Sequence, residues 1–172
     1  MKKIGRLLTA MITPFDENGH IDYLQAKNLA RALINSGSDG LVIGGTTGEA
    51  PSMSDEEKIQ LFKVIVEEIG DEGSVIAGTT DNNHRKSIEL SKEAEKVGVD
   101  ALLLTVPAYN KPQQTGLFFH FQAIAQSTNL PCILYNVPGR TSLNMTTETT
   151  LKLAQIDNII GILPLDPSTL EK

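Results

Sequence analysis

The sequence lacks the residues that mark several classes of protein. A single cysteine, Cys132, among 172 residues excludes an internal disulfide framework and a metal site built from several cysteines. No apolar run reaches the roughly 18 residues that a membrane-spanning helix needs. The basic start Met-Lys-Lys is followed by an interrupted apolar stretch and by no small-residue cleavage site. We therefore expect a cytosolic protein without a signal peptide.

Positive charge is also scarce relative to negative charge. Fifteen Lys and Arg residues stand against 21 Asp and Glu residues, which gives a net charge of −6, and no basic block is present. Because nucleic-acid affinity depends on neutralising phosphates, this balance argues against a nucleic-acid-binding protein. The hydrophobic share of 40% together with 14 glycines is that of a globular protein, and the length predicts a single domain.

Short apolar runs alternate with amphipathic stretches along the whole chain. One βα unit recurs roughly every 30 residues, which is the usual size of such a unit. Ser54 and Glu57 have the spacing of a capping box at a helix start, and Gly37, Gly70 and Gly98 are predicted as left-handed residues just after helices. The predicted strands are 7–13, 41–43, 74–79, 101–106, 132–135 and 159–163, and the later predicted helices are 83–97, 115–127 and 147–154.

This alternation implies a parallel sheet with helices on its faces, in one of two architectures. The length favours an open doubly wound sheet, because a barrel usually needs about 250 residues. Five consecutive predicted strands, however, end in polar or turn-rich sequences. A doubly wound sheet concentrates its site at one point, whereas a barrel distributes it around its rim. We therefore predict a (β/α)₈ barrel truncated to about six βα units.

Two groups of residues could take part in binding or catalysis. The loop Gly45–Glu49 offers backbone amides and two hydroxyls that can hold a carboxylate or phosphate, although an ordinary glycine-rich turn has the same sequence pattern. Tyr109, Tyr135 and Arg140 follow two strands; a tyrosine can relay a proton and an arginine can clamp a carboxylate. These three residues could equally be packing and surface residues. The side chain of Glu49 could be catalytic or could hold its own loop.

The remaining reactive residue types give no further site. His20, His84 and His120 have neither metal-ligand spacing nor the spacing of a nucleophile triad, so we expect no metal site. Cys132 lies within an apolar run and is expected to be a buried small hydrophobe rather than a nucleophile.

Four motifs, in this order, resemble those of the dihydrodipicolinate synthase family of pyruvate-dependent class I aldolases. They are Gly45–Glu49, Ala77–Thr79, Pro107–Pro112 and Tyr135–Thr141, and the resemblance covers residues 7–162. It implies a (β/α)₈ barrel that condenses pyruvate with L-aspartate-4-semialdehyde in lysine and diaminopimelate biosynthesis. A lysine on the sixth strand forms a Schiff base with pyruvate in this family, so no metal or organic cofactor is implied. The family also implies a homo-oligomer.

The resemblance also assigns roles to individual residues. Thr46 and Tyr135 match the proton-relay pair, and Tyr135 is also the acid and base of Schiff-base formation. Tyr109 matches the tyrosine that is lent across a dimer interface to complete the relay. Thr47 matches the residue that holds the pyruvate carboxylate. Arg140 matches the guanidinium that receives the semialdehyde carboxylate.

One departure from the family pattern concerns the reaction itself. The Schiff-base lysine position is occupied by Leu163, which has no nucleophile, and strands seven and eight are missing. We expect a partial barrel domain over residues 1–163, a non-family tail over 164–172 in which Lys172 does not replace the missing amine, and an inactive chain. The alternatives are a catalytically silent half-barrel used in assembly, a protein that binds 2-oxo acids, and a related 2-oxo acid aldolase.

A second departure concerns regulation. In inhibited members of the family, lysine binds among a histidine, a glutamate and a tyrosine. The matching positions in this sequence are Lys58, Lys86 and Ala108. Because like charges repel at short range, the resemblance predicts that a full-length protein of this sequence is insensitive to lysine. Lys58 and Lys86 could equally be surface residues without effect, which predicts the same insensitivity.

Overall fold

The structure is a computed structural model that describes residues 4–164. Residues 165–172, which make up most of the predicted tail and include Lys172, lie outside the described residues. The strands are β1 (Leu8–Ala10), β2 (Gly40–Ile43), β3 (Ser74–Gly78), β4 (Ala101–Thr105), β5 (Cys132–Asn136) and β6 (Ile159–Pro164). The helices are α1 (Tyr23–Asn35), α2 (Asp55–Ile69), α3 (His84–Val97), α4 (Gln114–Ala125), α5 (Pro138–Thr141) and α6 (Thr147–Leu153), with a 3₁₀ turn at Ala50–Ser52.

The first of two compact units comprises Met1–Gly78 and Glu93–Ala101. Within it β2 pairs in parallel with β1 on one side and with β3 on the other, with Gly40 in register with both Leu8 and Ser74. Every residue of β2 and β3 is buried. Burial along whole strands is typical of a parallel sheet covered on both faces, as the alternation of strands and helices predicts.

The second unit comprises Thr79–Lys92 and Leu102–Lys172. Here β5 lies between β4 and β6, again with parallel pairing on both sides. The pairing of β5 with β6 shifts register between Cys132 and Ile133. Among the described residues of the chain, no helix combines the length and the apolar character that a bilayer crossing requires.

Most of the predicted helix boundaries are confirmed by their hydrogen bonds. The capping box is present: the amide of Glu57 donates to Ser54 Oγ at 3.2 Å, and the amide of Ser54 donates to Glu57 Oε2 at 2.8 Å. Gly37 and Gly98 are left-handed, with φ of +107° and +90°. The prediction for Gly70 is wrong. Its φ is −57°, because its amide still bonds the Val66 carbonyl and extends the helical turn.

Two boundaries depart from the sequence prediction for identifiable reasons. β1 is shorter than the predicted strand 7–13: its pairing with β2 covers only Leu8–Ala10, the amide of Met11 makes one further bond to the carbonyl of Val42 at 3.0 Å, and Pro14 has no amide hydrogen to donate. The helix α5 was not predicted at all. It is a single turn that begins at Pro138, whose fixed φ suits a first helical position.

His120 in α4 is a half-buried titratable residue of the second unit. Its Nε2 atom is buried and has no hydrogen-bond partner among the described residues. Burial, with a smaller contribution from the neighbouring charge of His84, lowers the pKa of His120 to about 4, while the charge of Asp81 opposes the shift. The imidazole is therefore neutral at pH 7.

This burial predicts a specific loss of stability in acid. A histidine with a pKa of about 4 when folded and about 6.5 when unfolded binds fewer protons in the native state. The free energy of unfolding should therefore fall as the pH drops from about 6.5 to about 4 and level off below, by up to roughly 3 kcal/mol. Urea unfolding at several pH values measures this slope.

The variant His120→Gln should flatten that slope, because glutamine does not titrate. His20→Gln is the matched control, since the His20 side chain is 76% exposed in a loop. An unchanged pH dependence in His120→Gln would contradict the assignment.

Candidate functional site

In the first unit, the loop that follows β2 folds as a closed turn. The amide of Gly48 donates to the carbonyl of Gly45 at 3.1 Å, and the amide of Glu49 donates to that of Thr46 at 3.2 Å. Gly44 enters the loop with φ of +62°, where a Cβ would lie 3.0 Å from the Phe62 ring. Glycine at position 44 is thus required both by conformation and by space.

This turn is anchored from the end of β1. The hydroxyl of Thr13 donates to the carbonyl of Gly48 at 2.7 Å within the buried interior of the unit. A Cβ on Gly48 would lie 3.0 Å from the Met11 carbonyl oxygen, so the two chain segments approach closely. The result is a fixed turn that presents Thr46 as a half-buried residue and Thr47 as an exposed one. Glycine-rich sequence predicted the turn, but only the structure reveals Thr13 as its anchor.

In the second unit, Tyr135 lies near the carboxyl end of β5. It is 6% exposed, it is in register with Thr105 of β4, and its carbonyl accepts a hydrogen bond from the amide of Val106 at 3.0 Å. Pairing on both sides fixes the position of its backbone. A buried phenol at the end of a strand is suited to exchange protons with a bound molecule.

Leu163 is the register partner of Tyr135 on β6. In adjacent parallel strands, residues in register project toward the same face of the sheet. Among the described residues β6 pairs only with β5 and forms an edge of the sheet, and Leu163 is 45% exposed there. Position 163 is therefore beside Tyr135, and a nucleophile at this position would lie next to the phenol.

Arg140 follows the same strand by four residues and lies on α5. Its side chain is exposed, and none of the described residues forms an ion pair with it. The amide of Arg140 donates to the carbonyl of Val137 at 2.9 Å. An exposed guanidinium held just past the end of β5 can bind a carboxylate by donating two parallel hydrogen bonds.

Tyr109 lies in the loop that follows β4. It is 91% exposed and left-handed, with φ of +68°, and Lys111 in the same loop is also left-handed. Asn110 holds the loop by donating from Nδ2 to the carbonyl of Asn82 at 3.2 Å. Non-glycine residues in this conformation are uncommon and cluster at functional positions. The phenol of Tyr109 thus projects away from the rest of its unit.

The five predicted site residues divide between the two units. Thr46 and Thr47 belong to the first unit, whereas Tyr109, Tyr135 and Arg140 belong to the second. Within the second unit, the carboxyl end of β5 carries both Tyr135 and Arg140, while Tyr109 extends into solvent. Among the described residues, no group of three or more His, Cys, Asp or Glu side chains could hold a metal ion.

Two of the three histidines share a cavity, which the sequence did not indicate. A cavity of about 440 Å³ in the second unit is lined by both His84 and His120 and by the exposed Phe119. None of the predicted site residues lines it. Their spacing in the sequence gives no sign of this pairing, which arises because α4 and the start of α3 both border the cavity.

Comparisons with known proteins agree with these motifs. The model of the dihydrodipicolinate synthetase family matches residues 3–164. A 4-hydroxy-tetrahydrodipicolinate synthase from Dehalococcoides mccartyi is 55% identical over 162 residues, which cover 94% of this chain and 54% of that protein. One from Moorella thermoacetica is 56% identical over 158 residues, which cover 92% of this chain and 54% of that protein. The chain spans about half the length of the curated relatives it matches.

Solved structures show the same similarity. A dihydrodipicolinate synthase from Bacillus anthracis superposes with a TM-score of 0.95 at 46% identity, covering 99% of this chain and 59% of that one. The chloride-inhibited synthase from Acinetobacter baumannii, solved with pyruvate, gives a TM-score of 0.91 at 42% identity, covering 94% of this chain and 56% of that one. The fold is therefore part of a (β/α)₈ barrel, as predicted. The chain belongs to the dihydrodipicolinate synthetase family.

Proposed function

We propose that the protein serves the reaction for which its relatives are named: condensation of pyruvate with L-aspartate-4-semialdehyde in lysine and diaminopimelate biosynthesis, in the cytosol. The observation that carries this proposal is the carboxyl end of β5. There the buried Tyr135 is in register with position 163 of β6, which the resemblance assigns to the family's nucleophile, and the exposed Arg140 lies on the helical turn that follows β5. Together they supply a proton relay, a carboxylate clamp and a place for an amine.

The proposed roles follow from the chemistry of each group. The amides and hydroxyls of Thr46 and Thr47 offer donors for the pyruvate carboxylate and a hydroxyl for the relay. Tyr135 transfers protons during Schiff-base formation, and Arg140 binds the carboxylate of the semialdehyde. Tyr109, exposed on its loop, completes the relay of a second subunit.

We propose that the chain as given does not catalyse this reaction by itself. A leucine at position 163 cannot form the iminium that makes the pyruvate methyl group acidic, and no metal or organic cofactor is implied to take its place. Leu163 favours the second candidate function, which is a catalytically silent partial barrel that retains assembly contacts. The third candidate is a protein that binds 2-oxo acids without catalysing a reaction.

Reductive trapping separates these functions. Incubation with pyruvate and borohydride should leave the mass of the unsubstituted chain unchanged, because no side chain at position 163 forms an imine. Leu163→Lys should gain the mass of a pyruvyl adduct, whereas the matched variant Leu163→Met should not. The measurement is intact-protein mass spectrometry with peptide mapping.

An adduct at residue 163 of Leu163→Lys would support the synthase function. Thermal stabilisation by pyruvate without any adduct would support the 2-oxo acid-binding alternative. Robust turnover by the unsubstituted chain would contradict the proposal for Leu163.

We also propose that the chain forms homo-oligomers. Ile160, Ile162 and Leu163 of β6 are 52%, 37% and 45% exposed, and an apolar cavity of about 150 Å³ lies between β6 and α6. Exposed apolar residues on a strand favour pairing with another chain. Light scattering at tens of micromolar should therefore report particles larger than a single chain.

Ile160→Lys should shift this population toward single chains, because it places a charge on the apolar strand. Leu24→Lys is the matched control, since Leu24 is an apolar residue that is also exposed, at 67%, but lies on the helix α1 and not on a strand. A uniform population of single chains in the unsubstituted protein would refute the association.

The lysine-insensitivity expected from the sequence is refined by the structure. Lys58 is 9% exposed and its Nζ atom lies 3.3 Å from Asp55 Oδ1, so its ammonium group is already paired. Lys86 still adds a positive charge that repels the cationic side chain of L-lysine. Ala108 still lacks the aromatic ring that inhibited family members have at this position. Calorimetric titration with L-lysine should show no binding in the sub-millimolar range.

The triple variant Lys58→His, Lys86→Glu and Ala108→Tyr restores the residue types of inhibited family members and should gain affinity for L-lysine. The synthase from Cyanidioschyzon merolae, whose structure contains bound lysine, serves as the positive control. Sub-millimolar binding by the unsubstituted chain would show that the assignment of these positions is wrong.

A further inference from the structure

The segment between α5 and α6 has no regular secondary structure, yet its polar groups are tightly bound. This segment, residues 142–146, connects the helix that carries Arg140 to the rest of the second unit. Two carboxamide side chains from other elements hold it. They are Gln114, the first residue of α4, and Asn136, the last residue of β5.

Gln114 uses both of its polar atoms on the end of this segment. Its Oε1 accepts from the amide of Thr146 at 3.0 Å, from the Thr146 hydroxyl at 3.3 Å and from the Thr149 hydroxyl at 2.8 Å. Its Nε2 donates to the carbonyl of Asn144 at 2.9 Å. A carboxamide is suited to this task because it accepts and donates at once. Thr146 is also the residue that caps α6.

Asn136 holds the same segment from the strand side. Its Oδ1 accepts from the amide of Met145 at 3.1 Å, and its Nδ2 donates to Asn144 Oδ1 at 2.7 Å. Asn136 is 3% exposed and directly follows Tyr135. The segment is therefore attached to the same strand that positions the phenol.

The helix α5 depends on these contacts because it is short. It has four residues, and a single helical turn is unstable without external support. Its amino-terminal end continues directly from β5. Its carboxyl-terminal end passes through Ser142, which is left-handed with φ of +55°, into the segment held by Gln114 and Asn136. Thr141 ties the turn to its own flanks, because its hydroxyl donates to the carbonyls of Val137 at 3.2 Å and Leu143 at 3.0 Å. The bonds of Gln114 and Asn136 attach the far end of the turn to other elements of the unit.

We propose that Gln114, together with Asn136, is a positioning residue for Arg140: by holding residues 144–146 it sets the orientation of α5 and hence of the guanidinium. This role rests on the proposed function of Arg140 as the carboxylate-binding group. It does not involve contact between Gln114 and substrate. Small displacements of a binding group reduce productive binding strongly, so loosening the segment should weaken carboxylate recognition.

The first measurement is amide hydrogen exchange in the 172-residue chain. In Gln114→Ala, the amides of Arg140, Thr141 and Thr146 should exchange about ten-fold faster or more, because the four hydrogen bonds of the Gln114 side chain are lost. The amides of β4 and β5 should keep their rates. A purely structural role in the fold would accelerate exchange throughout the unit instead.

Two further variants sharpen this measurement. Gln114→Glu keeps the accepting oxygen but loses the donor to Asn144, so its exchange rates should lie between those of Gln114→Ala and the unsubstituted chain. Gln113→Ala is the matched control, because Gln113 is the exposed neighbour that makes no side-chain capping bond. It should leave the exchange rates of α5 unchanged.

The second measurement is the affinity for L-aspartate-4-semialdehyde, followed by the chemical shift of the Arg140 side chain in the same variants. Gln114→Ala should weaken binding by about ten-fold, in parallel with the exchange rates, whereas Gln113→Ala should not. Arg140→Ala has no guanidinium to observe, so the affinity is followed there by the backbone amide shifts of α5. In this variant the affinity for the semialdehyde should be lost.

The outcomes separate the two claims. Unchanged exchange of α5 in Gln114→Ala, or a loss of affinity no larger than in Gln113→Ala, overturns the positioning role while leaving the function of Arg140 intact. Semialdehyde binding that is unaffected by Arg140→Ala, or that is absent from the unsubstituted chain, contradicts the proposed function of Arg140. It also removes the reason for positioning Arg140 through Gln114 and Asn136.

Discussion

Parallel pairing of β5 on both of its edges is the constraint on which the candidate site in the second unit depends. Parallel strands end at a common edge, so a residue near the end of one strand has register neighbours near the ends of the next. Thr105, Tyr135 and Leu163 are such neighbours. Because ladder hydrogen bonds on both sides fix this row, the position of the Tyr135 backbone is insensitive to the side chains around it.

This constraint explains how position 163 can hold a leucine while the local structure of the site stays intact. The backbone bonds that align β6 with β5 do not depend on the side chain at that position, and the register is kept through Pro164. A change of the side chain at position 163 therefore leaves the backbone pairing around it in place. Leu163, at 45% exposure, buries less apolar surface than the buried residues of β5. Its side chain therefore contributes little to the free energy of folding.

Features with a local chemical cause were predictable from sequence, whereas those that depend on distant partners were not. The capping box at Ser54 and the left-handed Gly37 each follow from a few adjacent residues. Gly70 was misjudged because a glycine at a helix end can also continue the turn, and the choice depends on how the next residues of the chain are held. The clamp by Gln114 spans about thirty residues, and a glutamine at a helix start carries no sequence signal for it.

The second unit thus holds its two main candidate groups by unequal means. Tyr135 belongs to a strand paired on both sides, whereas Arg140 belongs to one helical turn whose far end is held by side chains. Ladder bonds open only with the sheet, but carboxamide bonds at a half-exposed surface can open one by one. A phenol that transfers a proton tolerates little displacement, and a guanidinium binds a carboxylate in bidentate geometry only when its backbone is held in place. The less rigid support therefore lies under Arg140, and the side-chain bonds of Gln114 and Asn136 supply it.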